Sequence, residues 1–156
     1  MYQKILAPLD GSEFAECSLE HVKAIATGCQ VPKVILLRAV EPIHSSDLAA
    51  YAEAGIDTAI LMKDVRDAAE QYMSRLTDEV RKSGLNVSSV ITTGWAADEI
   101  LSYATKNGVD LIIMSTHGRS GISRWFMGSV ADKVVRHSPV PVLTVAPPGC
   151  RVPQPK

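Results

Sequence analysis

From residue 111 the chain reads Leu111-Ile-Ile-Met-Ser-Thr-His-Gly-Arg-Ser-Gly-Ile-Ser-Arg-Trp-Phe-Met-Gly-Ser-Val-Ala131. An apolar run opens it, a glycine-punctuated passage follows, and a helical pattern closes it. Gly118, Gly121 and Gly128 leave backbone N–H groups uncovered by side chains. Gly128-Ser129 stands at the expected start of a helix, where unpaired N–H groups and the dipole attract an anion. Between His117 and Arg136 the basic residues Arg119, Arg124, Lys133 and Arg136 face a single acid, Asp132. Phosphate is the natural guest of such a passage. A surface loop that needs glycine for its turns is the plainer alternative.

Working outward, four more short runs rich in Val, Ile and Leu appear: Lys4 to Leu9, Val34 to Val40, Val87 to Thr92 and Val140 to Val145. With Leu111 to Met114 they make five expected strands. None alternates cleanly between apolar and polar residues, which suits strands covered by helices on both faces. Helical stripes lie between them. Ala15, Leu19, Val22 and Ala26 mark a helix over Glu13 to Thr27, with Ser12 as N-cap and Gly28 as stop. Leu61, Val65, Ala68, Tyr72, Leu76 and Val80 form a longer stripe closed by Gly84. A third helix runs from Ala97 to Lys106 with Ile100 and Ala104 inward. A fourth carries Val130, Ala131, Val134 and Val135 and stops before Pro139. Strand and helix alternating in this way predict a doubly wound parallel α/β sheet in a single domain.

The 156 residues suit one domain, and 46% apolar against 21% charged residues suits a globular one. Whole-chain disorder is excluded. A net charge of −1 argues against sequence-independent nucleic-acid binding. The longest apolar runs fall well short of the ~20 residues of a membrane span. No signal peptide is legible at the N-terminus. Cys17, Cys29 and Cys150 form no CxxC pair, so the cytoplasm is the expected compartment.

Two segments break the alternation. Glu41 to Asp57 is long for a connection, and its charges, Glu41, Asp47, Glu53 and Asp57, are all acidic. Ser46 to Gly55 suits a short helix. Pro147 to Lys156 holds four prolines and reads as a flexible tail.

Known phosphate motifs do not account for the glycines. GxxxxGK[ST] is absent, and no GxGxxG follows the first strand. The second informative stretch is Ala7-Pro8-Leu9-Asp10-Gly11-Ser12 at the end of that strand. In open α/β sheets ligands bind beyond the carboxyl ends of strands, and a carboxylate there accepts from ribose or base. Asp10 as a helix cap, with Glu13 completing a capping box, is the compatible alternative. Catalytic patterns are thin. Ser120 lies in Gly-Arg-Ser-Gly, not GxSxG. Cys17 and His21 share a helix face without a visible third ligand. His44 and His137 read as surface residues, His117 as a loop-shaping or phosphate-facing one, and Trp125 and Phe126 as packing on the sheet or covering a base.

Taken together, Ile5-Leu-Ala-Pro-Leu-Asp-Gly-Ser12, Val34-Ile-Leu-Leu-Arg-Ala-Val40, Gly108-Val-Asp-Leu-Ile-Ile-Met114, Thr116-His-Gly-Arg-Ser-Gly121, Gly128-Ser-Val-Ala131 and Pro139-Val-Pro-Val-Leu-Thr-Val145 resemble a universal stress protein domain over residues 1–146. The resemblance implies a five-stranded Rossmann-like sheet of order 3-2-1-4-5, with the switch point between strands one and four. It also implies ATP as ligand, in the branch that carries a glycine, two residues, a glycine, nine residues, then Gly-Ser or Gly-Thr. Here Gly118 and Gly128-Ser129 match, and Ser115 stands at the first glycine. If that position needs φ > 0, serine costs about 1–2 kcal/mol; in extended backbone its hydroxyl suits donation to phosphate or ribose.

By the same resemblance Asp10 holds the ribose or adenine, Pro8, Leu9, Ala39 and Met114 wall the base, and Ser115, Gly118, Gly128, Ser129 and Val130 follow ribose and phosphates. Charge adds Arg119 and Arg124, and place in the loop adds His117. Whether Mg²⁺ or Mn²⁺ accompanies ATP stays open, since no metal cage is legible. A homodimer through the last strand, Val140 to Val145, is implied, since an exposed apolar edge aggregates unless paired. The function expected is a nucleotide-dependent stress-response switch, not an enzyme, with an unidentified protein partner and the Glu41 to Asp57 loop closing over the adenine. One alternative is a dimeric interaction module that binds no nucleotide. The other, an ATP-dependent adenylating enzyme, needs a serine-glycine-glycine loop that Ala7-Pro8-Leu9 does not supply.

Overall fold

The structure, a computed structural model, describes residues 1–116 and 127–146. Five strands form one sheet: β1 (Lys4–Pro8), β2 (Lys33–Val40), β3 (Val87–Thr93), β4 (Leu111–Ser115) and β5 (Val142–Val145). Their spatial order is β3-β2-β1-β4-β5, and every neighbouring pair is parallel. The expected fold and strand order hold. The last strand begins two residues later than the sequence suggests, after Pro141, a residue that lacks a backbone N–H for the ladder.

Between the strands lie α1 (Glu13–Glu16), α2 (Ser18–Gly28), α3 (Leu48–Glu53), α4 (Thr58–Arg81), α5 (Ala96–Lys106) and α6 (Ser129–His137). The first expected helix is divided at Cys17. Ser12 caps it as foreseen, its hydroxyl accepting from the Ala15 amide at 3.2 Å. At the end of α2 the positive φ belongs to Gln30, at 53°, so Gly28 does not supply the left-handed turn.

Alternate residues of each strand feed two separate cores, as the two-residue period requires. Ile5, Ala7, Val34, Leu36 and Ile113 pack with Leu19, Val22, Met73, Leu76 and Val80 of α2 and α4. Leu6, Ile35, Leu37, Ile112 and Met114 pack with Ile100, Ala104, Ala131 and Val134 of α5 and α6. The stripe expected on α4 holds only in its second half. Val65 and Ala68 are exposed, while Ala69, Met73 and Thr77 are buried. The first three turns of α4 bury no residue, so no packing selects their inward face. Likewise Val135 of α6 is exposed, and Val134 makes the inward contact.

Two hydrogen bonds seat the switch point. The Asp110 carboxylate accepts from the Gln3 and Lys4 amides at 2.6 and 3.1 Å. They align β1 with β4 so that Ile5 pairs Leu111 and Leu6 pairs Ile112. Beyond Ser115 and Pro8 the two chains part to opposite sides.

Candidate functional site

That parting opens a cleft of about 390 Å³ across the carboxyl ends of β1, β2 and β4, within the range typical of small-molecule sites. Pro8, Leu9, Asp10, Ala39, Met114, Ser115, Gly128, Ser129 and Val130, all singled out from the sequence, line it together. His117, Gly118 and Arg119 lie outside the described residues, as do Gly121, Arg124, Trp125, Phe126, Ser120 and the tail 147–156.

Asp10 follows β1 directly, and its Oδ1 accepts from the Ser12 amide at 3.0 Å and the Ser12 hydroxyl at 2.6 Å. Gly11, with φ 86°, makes this tight return possible. Asp10 thus braces Ser12, the N-cap residue of α1, and lines the cleft. The N-cap is Ser12 and not Asp10, so the expected capping box from Asp10 to Glu13 does not form.

Ser115 is the last residue of β4, buried and in register with Val145. The only positive-φ residue other than glycine among those described is Gln30, so Ser115 sits in extended backbone without strain. Thr116, next in the chain, donates its amide to Val145 at 2.9 Å. Its carbonyl accepts from the Gly128 amide at 2.8 Å, so the chain leaves the sheet and re-enters α6 at one point. Gly128, at φ −59° and ψ 150°, is the N-cap of α6 and carries no side chain to satisfy the first-turn N–H groups. Gly128, Ser129, Val130 and Ala131 of this first turn all line the cleft.

Arg119 and Arg124, the cations assigned to the site from charge, lie outside the described residues. Lys133 pairs with Asp98 at 2.7 Å and Arg136 with Asp132 at 2.8 Å, so both are committed elsewhere. Among the described residues the cation that lines the cleft is Arg38 of β2, whose guanidinium donates to the Leu9 carbonyl at 3.4 Å. It stands inside the Val34 to Val40 motif, but the resemblance gives it no role there. Its parity with Val34 and Leu36, two and one alternations earlier on the same face, was the available signal.

Of the acidic segment only Glu41 reaches the cleft, and its Oε1 accepts from the Ala96 amide at the start of α5. Asp57 caps α4 through the Ala59 and Ile60 amides. Asp47 is the N-cap residue of α3, without a side-chain bond, so Asp47 and Asp57 both stand at helix starts away from the cleft. α3, within the expected Ser46 to Gly55, buries no residue. From α4 the exposed Val65 reaches the cleft, a contribution the failed stripe had concealed. His44 is exposed and packs on Trp95, ring centroids 4.6 Å apart.

Behind the cleft wall Tyr72 is half-buried, and its hydroxyl makes no hydrogen bond among the described residues. Burial first, and the neighbouring Glu16 carboxylate second, push its pKa well above the ordinary value. Cys17 turns its thiol back to the Glu13 carbonyl at 3.4 Å. Among the described residues no three His, Cys, Asp or Glu side chains gather as a metal site, and no helix is long and apolar enough to cross a membrane.

The arrangement offers an apolar slot, a carboxylate at one lip, a cation beside it and a bare helix end opposite. A family model described as universal stress protein family matches residues 1–146. Universal stress protein MJ0577 of Methanocaldococcus jannaschii is 34% identical over 155 residues, covering 93% of this chain and 95% of its own. Its solved structure superposes with a TM-score of 0.80, covering 94% and 96% of the two chains. UspA of Lactobacillus plantarum is 25% identical, with a TM-score of 0.78 over 92% of this chain and 97% of its own. At 22% and 18% identity the fold is shared with a universal stress protein in complex with cAMP and with an Arabidopsis thaliana family member with AMP bound. Their TM-scores are 0.65 and 0.64, covering 94% and 97% of this chain and 98% and 96% of theirs.

Proposed function

We propose that this chain, which belongs to the universal stress protein family, binds ATP in the cleft between β1 and β4 and acts as a homodimeric, nucleotide-dependent stress-response switch in the cytoplasm. The supporting observation is the convergence, at one switch point, of Asp10, the apolar walls Leu9, Ala39, Met114 and Val130, and the uncapped start of α6. A flat aromatic base suits the apolar slot, and hydroxyl groups of a ribose suit the Asp10 carboxylate as donors. Anionic phosphates suit the N-terminus of α6, where partial positive charge is fixed in place and needs no reorganisation. Structures of relatives with AMP and cAMP make adenine nucleotides the first class to test. The unstrained backbone at Ser115 supports the same reading, since a hydroxyl there adds a donor without distorting the loop's entry.

The proposed role is binding, not catalysis; any ATP hydrolysis is slow or dependent on a partner. Mg²⁺ or Mn²⁺ would arrive with the phosphates. Dimerisation through β5 follows from its position at a sheet edge, where its outward N–H and C=O groups seek partners. A second reading, a dimeric interaction module that binds no nucleotide, rests on Ser115 in place of glycine.

The deciding experiment denatures freshly purified protein, chromatographs the released small molecules, and titrates ATP into stripped protein by calorimetry. Co-purified adenine nucleotide or micromolar binding is expected. No nucleotide and no heat would overturn the ATP reading and leave the interaction module.

A further inference from the structure

The cleft has two unlike ends. At one, beside β4, stands the uncapped start of α6. At the other, beyond β2, the wall is made by Ala39, Ala96 and Ile100, with Glu41 next to them. Ala39 and Glu41 are two apart on the chain leaving β2, so both belong to the face of the sheet that α5 covers. Ala39 packs in that core, and the Ala96 amide of α5 donates to Glu41 Oε1 at 3.2 Å. Arg38, by the same alternation, shares the opposite face with Val34 and Leu36. Among the described residues Glu41 is therefore the charged group on the α5 side of this end. It is exposed, yet held on both sides. Just before it the Gly94 amide donates to the Val40 carbonyl at 3.0 Å, and just after it His44 stacks on Trp95. The bond to Ala96 takes one carboxylate oxygen; among the described residues no hydrogen bond or ion pair engages Oε2.

We propose that Glu41 is the specificity-determining residue of the cleft and selects a 6-aminopurine over a 6-oxopurine. The inference rests on the ATP reading: with phosphates at the start of α6, the base occupies the β2 end. The small apolar walls there accept the face of any purine alike, so discrimination falls to a polar group at the ring's edge. An ionised carboxylate only accepts hydrogen bonds. Adenine carries an amino donor at position 6, whereas guanine carries a carbonyl oxygen there, as does hypoxanthine. The amino group meets an acceptor already fixed in place. The carbonyl oxygen meets a fixed negative charge with no proton between them, so the same residue attracts one base and repels the other.

Calorimetric titration of the full chain with ATP and with inosine triphosphate, its 6-oxo counterpart, tests the assignment. The parent should bind ATP about tenfold more tightly or better, the scale of one hydrogen bond to a charged group. Glu41→Gln is the decisive variant. Its amide oxygen keeps the bond from the Ala96 amide, which leaves the NH₂ group, a donor, in the place of Oε2. It should keep the parent's thermal midpoint, weaken ATP, strengthen inosine triphosphate and lower the ratio of the two affinities about tenfold. Glu41→Ala should narrow the preference without reversing it. If Glu41 served only as a cap of α5, Glu41→Gln would leave the ratio unchanged and Glu41→Ala would weaken both ligands alike. Either result, or a parent that binds the two equally, overturns the proposal and leaves the ATP reading standing. A parent that binds neither overturns the ATP reading, and this proposal with it.

Discussion

The Gly128 amide donates to the Thr116 carbonyl at 2.8 Å, closing the neck between the end of β4 and the start of α6. The bond holds the N-terminus of α6 against the sheet at the cleft. At φ −59° Gly128 already has the backbone angle of proline. Gly128→Pro therefore deletes the donor, at a cost of ~1 kcal/mol, and should weaken ATP binding at least tenfold. Gly128→Ala keeps the donor in an allowed conformation and is the control for the added carbon. Equal affinities of all three proteins by calorimetry would detach the neck from ligand binding.

Asp10 serves structure and site at once, and two substitutions separate the roles. Asp10→Ala removes both bonds to Ser12 and should lower stability by ~1–3 kcal/mol, as charged acceptors do, while abolishing ATP affinity. Asp10→Asn retains an acceptor for Ser12, so its thermal midpoint should recover much of the loss. Unchanged ATP affinity in Asp10→Ala would remove this carboxylate from the proposed site.

Gly94 turns the chain from β3 into α5 with φ 153°, and a Cβ there would stand 2.5 Å from Glu99 Oε1. The Glu99 side chain can swing away, but the backbone angle cannot be relieved. Gly94→Ala should cost ~1–2 kcal/mol, visible as a lower denaturation midpoint. Glu41→Ala, which removes the acceptor at the start of α5, should cost ~1 kcal/mol or less. A Gly94→Ala protein as stable as the parent would mean that the turn rearranges.

Alkaline pH probes Tyr72. Its pKa is raised in the folded protein, chiefly by burial. The unfolded chain therefore releases this proton first, near pH 10. Stability from this group is complete below that pH and falls as pH climbs above it. Tyr72→Phe should be close to neutral at pH 7, because among the described residues the hydroxyl finds no partner of good geometry, and should shallow the alkaline decline. Tyr103, raised by burial too, carries the remainder. An alkaline melting profile unchanged by Tyr72→Phe would contradict the assignment.

The β5 edge makes its own prediction. The Ile112 amide donates to the Pro141 carbonyl, so Thr144 turns its bonding groups outward. Thr144→Pro should convert the proposed β5 dimer to a monomer in sedimentation. A parent already monomeric at micromolar concentration would remove the dimer.

What was legible in the sequence follows what physics acts locally. The apolar runs, the cap at Ser12 and the helix start at Gly128-Ser129 are short-range signals, and the structure keeps them, with the last run shortened to Val142–Val145. The inward face of α4 was misread because a 24-residue helix meets the sheet along only part of its length. Where β2 and β3 press on it, Met73 and Thr77 are buried, and Thr77 satisfies its hydroxyl on the Met73 carbonyl at 2.7 Å. Where nothing presses, apolar spacing has no consequence, and Val65 turns to the cleft. Arg38 escaped notice because a charge within an apolar strand reads as an interruption. Only the topology shows that its end of β2 opens onto a binding cleft.

The pairing of Ile5 with Leu111 bears on the order of events during synthesis. β1, β2 and β3 complete a three-stranded parallel unit from the first part of the chain, but the neighbour of β1 on its other side is made about a hundred residues later. Until Asp110 reaches the Gln3 and Lys4 amides, no switch point exists and Asp10 faces open solvent. The nascent chain therefore offers no cleft to a ligand until nearly all of it has left the ribosome. Any nucleotide that binds the finished cleft then acts on unfolding alone, deepening the native state by mass action without hastening its formation.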